Sequence, residues 1–108
     1  MSMTQNIRTS GALLTSNARL TVNCGFKPAW VRLLNRNRVI QAEWHGGMPS
    51  DSMVRRSGAA APAYITSSGV TLVDDGTNLG FTVGPDSQLN PTGSDELFWI
   101  AIRGNDPK

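Results

Sequence analysis

From Ala18 to Cys24 the chain alternates: Ala18, Leu20, Val22 and Cys24 fall on one side, and Arg19, Thr21 and Asn23 on the other. That two-residue period predicts a strand with one buried face. GFKPA then ends it, because Gly25 permits an unusual φ and Pro28 removes a backbone donor. Residues 30–35 (WVRLLN) and 38–44 (RVIQAEW) flank Arg36-Asn37 and predict a hairpin with a tight polar turn. In its second strand Ile40, Ala42 and Trp44 share one face, and Val39, Gln41 and Glu43 the other, the pattern of a half-exposed antiparallel strand. HGGMPSDS is turn chemistry, MVRRS a short edge strand, and GAAAPA a small-residue loop whose Pro62 excludes a helix interior.

The remainder is a series of short strands, YIT, VTLV, GFTVG and LFWIAIR, separated by SSG, DDGTNL and PDSQLNPTGSD. Such spacing predicts an all-β domain: a single small antiparallel β-sandwich, jelly-roll-like, or a barrel. The last strand is apolar on both faces, with Leu97, Trp99 and Ala101 on one and Phe98, Ile100 and Ile102 on the other. It is expected to be central or covered by another subunit. Residues 1–17 are rich in Ser, Thr and Asn with neither period, and predict an extended N-terminal arm attached to a domain over 18–108. At 108 residues one core is expected, not two.

Charge adds an asymmetry. Residues 1–56 carry eight basic side chains against two acids, and residues 57–108 carry two against six, within a net charge of +2. The two halves interleave in one domain, and only where the asymmetry survives as opposite faces does it favour contacts with a second copy or a charged neighbour. The lone Cys24 forms no internal disulfide, and one Cys with the one His, His45, assembles no zinc set. Neither a signal-peptide run nor a membrane-length apolar run occurs, so synthesis in a cytoplasm and no membrane association are expected.

Enzyme chemistry finds little support. Serines and aspartates are plentiful, but no G-x-S-x-G elbow presents a nucleophile to His45. Glu43 is the only acid set among apolar residues, so no glycosidase pair stands out, and DDGTN lacks the spacing of a calcium loop. No cofactor is expected. Arg32, Arg36 and Arg38 beside Trp30 and Trp44 could form a single-stranded nucleic-acid groove. Two lysines and an acidic second half weigh against it.

Two stretches, GFKPAWVRLLN…EWHGGM and ITSSGVTLVDDGTNLGFTVGPDSQLNPTGSDELFWIAIR, carry a resemblance distributed over about residues 20–103. Gly25, Phe26, Pro28, Trp30, Val31, Leu33 and Asn35 open it, followed by Trp44 and Met48, then Ser68 to Thr71. Gly80 to Gly84, Asp86, Leu89, Asn90, Gly93 and Trp99 complete it. In this order the chain resembles small β-sandwich virion structural proteins of tailed bacteriophages, most of all the capsid decoration (cement) proteins. The resemblance implies a protein without catalytic residues that sits on the outer capsid surface of a virion. Its implied partners are the major capsid protein and itself, as a homotrimer.

On that footing Met3, Thr4, Ile7, Arg8, Leu13 and Leu14 are the expected capsid-contact residues of the arm. Trp30, Trp44 and Trp99 are the expected core or subunit-contact anchors, and Arg36, Arg38 and His45 the expected subunit contacts, with Arg36 and Arg38 meeting Asp74, Asp75, Asp95 or Glu96 of another copy. A tail or neck fibre module with a receptor- or glycan-binding role, and a single-stranded nucleic-acid-binding domain, are the alternative expectations.

Overall fold

The computed structural model describes residues 8–58 and 61–103. Eight strands run through them: β1 (Arg8–Leu14), β2 (Leu20–Asn23), β3 (Pro28–Asn35), β4 (Ile40–His45), β5 (Ser52–Ser57), β6 (Ala63–Asp74), β7 (Leu79–Val83) and β8 (Glu96–Arg103). All pair antiparallel in one sheet of order β1-β8-β3-β4-β5-β6-β7-β2, curled into a half-barrel. The all-β class expected from the strand spacing is therefore found, as one curled sheet.

Alternation decides what the curl encloses. Val31 and Leu33 of β3, Leu97 and Ala101 of β8, Met53 of β5, Val70 of β6, and Phe81 and Val83 of β7 are fully buried on the inner side. Ile40, Ala42 and Trp44 of β4 join them, on the face their spacing assigned. The Phe81 and Trp99 rings meet edge to face at 5.7 Å, a geometry their quadrupoles favour.

Because β1 and β2 are the two edges, the chain from 15 to 19 must link opposite sides of the sheet, and so must residues 84–95 between β7 and β8. Both cross the open side of the half-barrel, where Leu89 is sealed into the core. Two buried asparagines tie these crossings down. Asn35 donates to Leu89 O at 3.0 Å, while Asn90 donates to Ala18 O at 2.7 Å and accepts from Ser16 N–H at 3.1 Å. Asp86 anchors the same segment: it accepts the Gln88 and Leu89 N–H groups, both at 2.8 Å, and Arg55 at 2.7 Å.

Three expectations need correction. Residues 8–14 are not part of an arm outside the domain but β1, in register with β8 from Arg8↔Ile102 to Leu14↔Glu96. Their small side chains carry weak strand propensity, and the ladder offered by the doubly apolar β8 outweighs it. Met3, Thr4 and Ile7 lie outside the described residues. Secondly, β5 is interior, between β4 and β6, and not an edge. Thirdly, YIT and VTLV are one strand: β6 is bent at SSG, with Ser68 at φ 63°, so that Met53 pairs with Ile65 while Ser52 pairs with Val70. Gly69 makes this bend possible, since a Cβ there would stand 2.5 Å from the Ser52 backbone.

Candidate interaction site

Strand register also assembles a second apolar face, turned away from the core. Trp30, Arg32 and Leu34 of β3 stand opposite Ile102, Ile100 and Phe98 of β8. The face continues into β1 through Arg8, Ser10, Ala12 and Leu14, and into β4 through His45, Glu43 and Gln41. Trp30, Leu34, Ile100 and Ile102 are half-buried, whereas Phe98 is 37% and Leu14 63% exposed. Exposed apolar bands of this kind are common at interaction surfaces.

The charges on the band are largely matched within the chain. The Arg32 guanidinium lies 5.9 Å from the Trp30 ring centroid, and its Nε is 3.8 Å from Glu43 Oε2. A stacked arginine already facing a carboxylate is a poor start for a phosphate-tracking groove. Arg36 and Arg38 pair with Glu96 (3.2 Å) and Asp95 (2.7 Å) of the same chain, which corrects the expectation that they cross to another copy. The reason is topological: β3 and β8 are neighbours, so the β3–β4 turn lies beside the start of β8. Arg38 and then Asn35, both donating to Asp95, hold its carboxyl below the usual range.

The expected subunit contacts therefore divide. Trp30 and His45 stand side by side on the outer face. Trp44 and Trp99 take the core role of the two expected for them. Trp44 is buried and donates from Nε1 to Pro49 O at 3.2 Å, and Trp99 packs against the core beside Phe81. Their parity in β4 and β8 sends them inward. Of the expected arm contacts, Arg8 and Leu14 reach the outer face, while Leu13 turns inward, half-buried against the core.

Ile100 and Ile102 belong to the second apolar face read from the last strand, whereas Leu34 and Ala12 complete the band without having been singled out from the sequence. The signal was present for β8, whose outer residues are as apolar as its inner ones; for Leu34 only the Leu33-Leu34 doublet hinted at it.

Chemical groups are sparse. Among the described residues no cluster of three or more His, Cys, Asp or Glu side chains could hold a metal ion. Burial pushes the Cys24 thiol up, away from the thiolate a nucleophile requires. His45 is exposed, and its Nδ1 accepts the Gly47 N–H at 3.3 Å, a contact that shapes its own turn. Among the described residues no helix is long and apolar enough to cross a membrane. Compared with protein-family models, curated proteins and solved structures, the chain matches none.

Proposed function

We propose that the chain is a non-enzymatic bacteriophage virion protein of the capsid decoration (cement) type, which binds the major capsid protein on the outer head surface and reinforces the shell. One observation carries the reading: the apolar band of Trp30, Leu34, Phe98, Ile100 and Ile102 on the side of the sheet opposite a core that is already filled. Burying such side chains contributes about 25 cal/mol per Å² of apolar surface removed from water, so a covering protein surface gains affinity there. The resemblance of the GFKPAW to EWHGGM and GFTVG to FWIAIR stretches to small phage virion proteins supplies the identity of that surface. Mechanically, each bound copy adds contacts that internal pressure must break before neighbouring capsid subunits separate.

Weighing the chain against the major capsid protein in purified virions tests this. Near-stoichiometric amounts are expected. A few copies per particle would instead indicate a tail or neck module, and absence from particles would overturn a virion role altogether.

A further inference from the structure

The two edges of the sheet differ in a way that points to self-association. β2 is four residues long, whereas β1 is seven, without proline or lysine, and the outer apolar band runs up to it through Ala12 and Leu14. Natural sheets blunt such edges or cover them.

Hydrogen-bond parity fixes what β1 offers. Thr15, in register with Asp95, donates its N–H to Asp95 O at 2.9 Å. Alternation along the ladder then turns the backbone groups of Thr9, Gly11 and Leu13 towards β8. Those of Ser10, Ala12 and Leu14 point off the open edge.

The geometry points to a two-fold, antiparallel β1–β1 contact between two copies of this chain, centred on Gly11. Only that centring pairs the whole of Arg8–Leu14 with itself while matching outward-pointing residues: Ser10 with Ala12, and Arg8 with Leu14, of the second copy. Gly11 then sits opposite Gly11 in a non-hydrogen-bonded pair, where strands approach to about 4.5 Å between Cα atoms. Its missing side chain is already required on the inner side, where a Cβ would stand 2.9 Å from Trp99 Cζ2.

Charge supports the same arrangement. Arg8 has no ion pair among the described residues, and the second copy's Leu14 brings with it the half-exposed Glu96, its neighbour on β8. That acid already pairs with Arg36 of its own chain at 3.2 Å, so Arg8 of each copy would extend this pair across the contact. The paired edges would join the outer bands of both copies into one continuous face.

This pairing does not rest on the head-surface reading and is tested on the purified chain in solution. Sedimentation should give a dimer. Amide exchange at Ser10, Ala12 and Leu14 should slow as concentration rises through the association range, with no such change at β2. Ala12→Pro removes a donor that the chain itself does not use, and an edge strand tolerates it. It should raise the dissociation constant at least about tenfold while leaving the unfolding of the dilute protein unchanged. Arg8→Glu should weaken the dimer most at low salt. A monomer at all concentrations, a trimer, or a dimer whose Ser10, Ala12 and Leu14 amides stay unprotected would overturn the inference.

Discussion

Leu33 and Leu34 are adjacent and chemically identical, yet one is sealed completely in the core and the other stays half-exposed beside Phe98. The same contrast runs through β8, where Leu97 and Ala101 are sealed and Phe98, Ile100 and Ile102 are not. Both faces are apolar, so hydrophobicity alone does not separate the residues that hold the fold from those that offer a surface. Closure does. The inner face is completed by residues 84–95, with Leu89 buried and Asp86 anchored by Arg55. Nothing among the described residues completes the outer one.

The contrast should break most visibly at the anchor. Asp86→Ala leaves the half-buried Arg55 guanidinium without its carboxylate and the Gln88 and Leu89 N–H groups without their acceptor, and should cost about 3–5 kcal/mol. A urea midpoint close to wild type would show that Leu89 and the asparagine hydrogen bonds hold the segment without the Asp86 anchor.

A direct comparison of the faces comes next. Leu33→Ala should lose about 2–5 kcal/mol, and Leu34→Ala about 0.5 kcal/mol or less, in the same urea titration. Comparable losses from the two would mean that the outer face holds the fold together as firmly as the inner.

A smaller effect, of opposite sign, is expected at the hairpin tip. Val39 is β-branched, exposed and at φ 55°, so Val39→Gly should raise stability by up to about 1 kcal/mol in a thermal melt. A destabilised variant would show that the Val39 side chain makes a contact worth more than its strain.

The smallest change is a pH slope. Asp95 titrates below its ordinary value in the folded chain, because Arg38 and Asn35 donate to its charged form. Its contribution is therefore complete above the unfolded value of about 3.9 and disappears as pH falls through the lower folded one. Asp95→Asn should flatten part of the stability loss in that acid window; Asp51 and Asp75, also lowered, keep the rest. An unchanged slope would remove Asp95 from the account.

Much of this architecture was legible in the residues, and the gaps have physical causes. Ile40, Ala42 and Trp44 declared their face by spacing, and the doubly apolar LFWIAIR announced a central strand, found between β1 and β3. β1 was hidden because RTSGALL has the composition of a loop and becomes a strand only through the ladder β8 provides. The SSG bend read as a turn between two strands because Ser and Gly serve a bulge as readily as a turn. Asn35 stood at the end of a strand and Asn90 in a connecting segment, and their role in fixing the crossings depends on partners 54 and 72 residues away. The outer band was half visible: its β8 part from periodicity, its β3 and β1 parts only once register aligned them.

Occupancy on particles tests the central claim most directly, that the outer face of β3 and β8 is what the shell covers. Virions assembled with Ile100→Arg should be compared with wild type on a quantitative gel, beside urea titrations of both purified chains. The account predicts near-wild-type stability with the variant almost absent from particles. Full occupancy by a stably folded Ile100→Arg chain would contradict it.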